Sequence, residues 1–145
     1  MILTLKVTCV WGRYLTADCE RVIEMDSEDS LLSLHYAIQD AVKFDADHPF
    51  EFMAGRHIRN RKVVFAKDAY SWDEEVDIYE NTTLAQVYPL PAGLKLFYHF
   101  DFGDDWYFEV RKLQKRAFEA EPGVKYPRVI ERVGKNPKQY PNWDE

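Results

Sequence analysis

The chain is short of sulfur and glycine, and it has no long apolar run. Of its 145 residues, two are cysteine, three methionine and six glycine. Two cysteines, Cys9 and Cys19, without CxxC spacing argue against a thiolate zinc site. With no export signal they read as reduced, buried thiols, although a disulfide is geometrically open if the first two strands pair across the loop between them. No apolar stretch approaches the roughly 20 residues that a membrane-crossing helix needs. The opening Met1-Ile2-Leu3-Thr4-Leu5-Lys6 lacks the basic region and cleavage site of a signal peptide, so a cytoplasmic protein away from membranes is expected. HExxH, P-loop, GxGxxG and GxSxG patterns are absent, as are internal repeats. Positive charge is in deficit, with a net charge of -6.

What is present is a globular composition: 46% hydrophobic, 30% charged and 15% aromatic. A chain of this length buries roughly 68–70% of its unfolded surface without needing a staple. We read residues 1–145 as one domain ending in an extended, basic segment with Pro and Gly over about 118–145.

Periodicity supplies the elements. Residues 2–11 alternate, with Leu3, Leu5, Val7, Cys9 and Trp11 expected on one face. A second strand is expected over 19–25. Asp26-Ser27-Glu28-Asp29-Ser30 is a helix start, and Leu31, Leu34, His35, Ile38, Ala41 and Val42 form a helical stripe running to about Lys43. Residues 50–54 alternate again, and Val63-Val64-Phe65 suggests a short strand. An irregular acidic stretch is expected from Lys67 to Asn81. Thr82 or Thr83 caps a short helix through Tyr88. Strands at 94–102 and 106–113 flank a turn, and the last thirty residues read as mostly extended coil or turns. A hairpin, a helix and a returning strand suggest an α+β fold. The expectation is a mixed or antiparallel sheet packed on one long helix, with a β-grasp-like N-terminal half.

The stretch from Leu96 to Val110 is the most informative. A three-residue loop, Gly103 to Asp105, pairs Phe102 with Trp106, Phe100 with Phe108 and Tyr98 with Val110, keeping the apolar side chains together. It leaves a polar face bearing His99, Asp101, Tyr107 and Glu109. Those four are a candidate site for proton transfer or a divalent metal, or else a solvated sheet face with a His99–Glu109 pair. His35 reads as a core or boundary histidine, and His48, before Pro49, as a turn residue.

Charge is uneven. Nine basic residues face three acidic ones between Arg111 and Lys138, so the rest of the chain is more acidic than the total suggests. A second basic run covers Arg56 to Lys62, and Asp73 to Glu80 is acidic. Candidate anion contacts are Arg56, Arg59, Arg61, Lys62, Arg128, Arg132 and Lys135. The alternative is that the basic tail lies across the chain's own acidic surface.

Three segments together carry a family likeness: Leu34-His35-Tyr36-Ala37-Ile38-Gln39-Asp40-Ala41, Asp47-His48-Pro49-Phe50-Glu51-Phe52, and Tyr98-His99-Phe100-Asp101-Phe102-Gly103-Asp104-Asp105-Trp106. In order and spacing, from about residue 3 to residue 137, the chain resembles the plasmid pRiA-type ORF-three-like family, whose members also carry an insertion-element passenger (TnpR) label. The resemblance implies a compact α+β fold of bacterial or archaeal origin and no established activity; nothing here reads as a serine-recombinase active site. Where family members usually have a histidine two positions after the tryptophan, this chain has Phe108, which the hairpin register points inward.

Two readings of function follow. One is a non-catalytic interaction module, associated with mobile elements or nucleic acid, that engages a protein or nucleic acid through the basic residues and aromatics such as Trp72 and Trp143. The other is a metal-dependent hydrolase using His99, Asp101, Asp104 or Glu109. The residues call for no cofactor and no catalytic group by motif, and the interaction module is the favoured reading.

Overall fold

Alternating apolar residues make Ile2–Trp11 the first strand, β1, and Glu20–Asp26 the second, β2, in the computed structural model, which describes residues 1–64 and 78–141. The two pair antiparallel from Ile2 opposite Asp26 to Thr8 opposite Glu20. Ser30 caps the next element, α1 (Leu31–Val42), its hydroxyl accepting the Ser33 amide at 3.1 Å. That satisfies one of the amides a helix start leaves unpaired. The chain continues through β3 (Phe50–Gly55), β4 (Arg61–Val64), the short helix α2 (Leu84–Val87), β5 (Lys95–Phe100), β6 (Trp106–Lys112) and β7 (Arg128–Val133). Thr83 caps α2 in a reciprocal pair with Gln86.

The seven strands form one sheet in the order β4-β3-β5-β6-β1-β2-β7, and every neighbouring pair is antiparallel. Three expectations are corrected by this. The strand returning from the helix, β3, is separated from the opening hairpin by β5 and β6, so the β-grasp comparison fails and the sheet is not mixed. The one long helix is instead twelve residues, with short helical turns at 78–81 and α2 beside it.

One face of the sheet, here the inner face, packs against α1. Leu5, Phe52, Leu96, Tyr98, Phe100, Trp106 and Phe108 are fully buried there with Leu31, Leu34, Ile38 and Ala41. The hairpin's role as core is therefore correct, but its register is not. Phe100 pairs with Trp106, His99 with Tyr107, Tyr98 with Phe108 and Phe97 with Glu109. Five residues, 101–105, join the strands instead of three. The cause is Asp101: it turns left-handed at φ 64, and its carboxylate accepts the Gly103 and Asp104 amides at 2.9 and 3.2 Å. The strand thus ends two residues earlier than the pattern suggests. A two-residue shift keeps every side chain on its face and changes only its partner. Phe102, expected inward, leaves the strand and is exposed.

Trp11 also departs from its expected face. Cys9 pairs with Phe108 and Trp11 with Tyr107, so Val10 is an extra residue in a bulge. The bulge turns Trp11 from the inner to the outer face. The basic tail is not all coil, because β7 extends the sheet along β2.

Candidate functional site

The register aligns chemistry across the outer face. Trp11 on β1 lies opposite Tyr107 on β6, Tyr107 opposite His99 on β5, and His99 opposite Glu51 on β3. Arg61, at the start of β4, closes the row with a 2.6 Å ion pair to Glu51. The imidazole of His99 is 5% exposed and stacks on the Tyr107 ring at 4.1 Å between centroids, 8° from parallel. Phe102 covers its other side, with centroids 4.8 Å apart.

Both ring nitrogens of His99 face carboxylates: Nδ1 lies 3.1 Å from Glu51 and Nε2 lies 2.8 Å from Asp105. An imidazole donates from both nitrogens only as an imidazolium. The cluster sets the His99 ring and the Arg61 cation against two carboxylates, Glu51 and Asp105. Burial alone would raise the Glu51 carboxyl, but the hydrogen bond from His99 and the Arg61 charge outweigh it and hold it below its usual range. Burial raises the Tyr107 phenol, with a hydrogen bond from Arg61 acting the other way. Such a matched network fixes side chains in place. It leaves neither ring nitrogen open to take a substrate proton.

Of the four residues expected to share a polar face, the structure joins only His99 and Tyr107. Asp101 is buried at the turn, its second oxygen 3.4 Å from His48 Nε2. Glu109 lies two residues along β6, opposite Phe97 and Thr8. Among the described residues no group of three or more His, Cys, Asp or Glu is placed to hold a metal ion. Sequence reasoning missed Glu51 and Asp105, and it took Arg61 for an anion contact. The outward position of Glu51 was legible in the β3 alternation; the β3–β5 pairing that brings it to His99 was not.

His48 belongs to a second cluster. Its Nε2 lies 2.6 Å from the Tyr140 hydroxyl, which donates to Asp47 at 2.7 Å, while Gln139 donates to the other Asp47 oxygen at 2.8 Å. The turn role expected of His48 thus extends to tying down residues 139–140. His35 is buried as expected, stacked on Phe50 at 3.7 Å and hydrogen-bonded to the Tyr98 hydroxyl. Desolvation lowers its pKa from 6.5 to about 4.

The basic candidates divide between opposite edges of the sheet. Arg56, Arg59, Arg61 and Lys62 are exposed at the β3–β4 edge, whereas Arg128, Arg132 and Lys135 lie on or beyond β7. Seven strands put those edges about 29 Å apart. Arg128 donates to buried Glu24 at 2.5 Å, and Arg132 donates to the Ala41 carbonyl at 2.8 Å. Buried Arg21 donates to the same carbonyl, and also to Val133 and Asn136. Cations there complement the negative end of α1. Arg128 and Arg132, two of the tail's cations, are therefore engaged by their own chain. Lys135 borders a cavity of about 690 Å³ between residues 13–17 and the tail, with Arg13 and Lys138 also on its wall. Trp72, Trp143, Phe65 and most of the acidic stretch, through Asp77, lie outside the described residues.

No helix among the described residues is long and apolar enough to cross a membrane. A crystal structure of a protein of unknown function from Methanosarcina mazei Go1 is similar, with a TM-score of 0.68 and 21% identity over 93% of this chain and 70% of that one. At that identity the likeness speaks for the fold alone. Comparison with the curated proteins gives no match. The family description "Plasmid pRiA4b ORF-3-like protein" matches residues 2–139, nearly the whole fold including the hairpin and the His99 row, as the sequence resemblance implied. The chain belongs to the plasmid pRiA4b ORF-3-like protein family.

Proposed function

We propose that this chain is a non-catalytic interaction module whose recognition surface is the hairpin end of the outer sheet face, and that single-stranded nucleic acid is the partner this chemistry fits. The observation that carries the reading is a pair of exposed aromatics, Trp11 at 46% and Phe102 at 50%. Trp11 lies opposite Tyr107 by register and Phe102 lies 4.8 Å from the His99 ring, on either side of the His99–Tyr107 stack that the ion pairs tether. Large rings left in solvent on a fixed platform offer bases a stacking surface, with about 1–3 kcal/mol gained per base. Arg56, Arg59 and Lys62 are exposed in and beside the loop joining β3 to β4, at the end of those strands away from the 101–105 turn, where the backbone phosphates of a strand running from the rings along the face would arrive. The hydrolase reading gains no support, because the His99 nitrogens already face carboxylates and Asp101 and Glu109 sit elsewhere. A link to mobile elements rests on the family's plasmid-derived name.

Titration of the intrinsic tryptophan fluorescence against single- and double-stranded DNA and RNA tests the proposal. Quenching that favours single strands and weakens as salt rises is the expected result. No salt-sensitive response to any of them would remove nucleic acid and leave a protein partner for the same surface.

A further inference from the structure

The two cysteines of the chain lie opposite each other at the open end of the β1–β2 pair. One step beyond the Thr8–Glu20 pair, Cys9 donates its backbone N–H to the Cys19 carbonyl at 3.0 Å. Directly opposed residues of antiparallel strands have Cα atoms about 4.5–5.5 Å apart, inside the roughly 4.4–6.8 Å that a disulfide spans. Both side chains belong to the inner-face core, 6% and 2% exposed, and both are free thiols. Between them lie only residues 10–18, which carry Trp11 and, from Arg13 to Ala17, one wall of the 690 Å³ cavity.

We propose that Cys9 and Cys19 are a redox-modification site, in which a reversible intramolecular disulfide closes the loop that carries Trp11. The site is independent of what the outer face binds. The oxidant is a small hydroperoxide, hydrogen peroxide being the simplest. Burial pushes the Cys9 thiol up to about 12, with Cys19 beside it adding to the effect. Burial raises Cys19 as well, with the Arg21 and Arg132 cations acting against it, so the first attack is assigned to Cys19, Cys9 having no such cation beside it. Its thiolate attacks one peroxide oxygen; the S–O bond forms as the O–O bond breaks, and the departing hydroxide takes up the thiol proton as water. The Cys9 sulfur then attacks the sulfenic sulfur, forming the S–S bond and breaking the S–O bond, and the hydroxide leaves with the Cys9 proton as a second water. Two thiols lose two electrons, and one peroxide becomes two waters. Exchange with a reducing thiol returns the pair.

The test treats the folded chain with hydrogen peroxide, quenches it, denatures it, alkylates with a maleimide and weighs it intact. The expected product is a monomer that takes no maleimide, is lighter by two hydrogens, yields a Cys9–Cys19 linked peptide and regains both thiols with dithiothreitol. Cys9→Ala and Cys19→Ala should each leave the remaining cysteine unable to form the linkage. Separate sulfinic acids, disulfide-linked dimers, or two thiols still alkylated after excess peroxide would each overturn the proposal, and the wild-type measurement decides it even if a variant folds poorly.

Discussion

The inner and outer faces of the 95–112 hairpin differ in how they treat the same kinds of side chain. Inward, Tyr98, Phe100, Trp106 and Phe108 are fully buried against α1 and Phe44. Outward, Tyr107 and His99 stack as tightly but are fixed by charges, and the rings beside them, Trp11 and Phe102, are open to solvent. The two histidines divide the same way. His35 on the inner side meets the Tyr98 phenol and stacked rings, and burial lowers its pKa to about 4. His99 on the outer side lies between two carboxylates. One face obtains its order from apolar burial and the other from matched charge, so substitutions on the two should fail in different ways.

The largest expected effect is on the inner face. Trp106→Ala should cost about 4 kcal/mol, since it empties the space of a fully buried ring; urea unfolding should show a lower midpoint at unchanged slope. A loss under about 1 kcal/mol would mean the inner face is not the stabilising one.

Acid should act next, through His35. Above pH 6.5 it is neutral in both folded and unfolded chains and has no effect. Below that, the unfolded chain takes up a proton that the folded one refuses until about pH 4, so stability falls across this window as pH falls. The shift corresponds to roughly 3 kcal/mol at the acid end. Unfolding free energies measured from pH 7 to 4 should decline more steeply in the wild type than in His35→Gln.

How much of this was legible in the sequence follows from the same division. The helix stripe, the Ser30 start, the Thr83 cap and the burial of Phe100, Trp106 and Phe108 could be read because each depends on neighbours along the chain. The Asp101 turn hid in plain view. A short acceptor side chain followed by glycine can start a turn, but alternation made Phe102 look like one more inward residue. The Val10 bulge, the β7 strand and the Glu51–His99 pairing depend on which strands become neighbours, and local pattern carries no information on that. For the same reason the sequence could suggest that the basic tail lies on the chain's own acidic surface, but not that Glu24 and the end of α1 are what it meets.

Outer-face changes should be milder. Glu51→Gln removes the charge that faces both His99 and Arg61, and with Arg61 40% exposed the cost should be only about 1 kcal/mol. The His99 ring resonances in NMR spectra should shift with it. Loss of the whole fold would show that charge, and not the inner face, holds the sheet together. Smallest of all, Trp11→Ala should change stability by less than about 0.5 kcal/mol, because the ring is half in solvent and lies outside the core cluster.

The account turns on whether the exposed rings recognise anything while the buried ones only build. Fluorescence anisotropy of a labelled single-stranded oligonucleotide, with wild type and with Trp11→Ala/Phe102→Ala, addresses that directly. The double variant should fold with wild-type stability and bind at least tenfold more weakly. Equal affinity in the two proteins would contradict the assignment of recognition to this face.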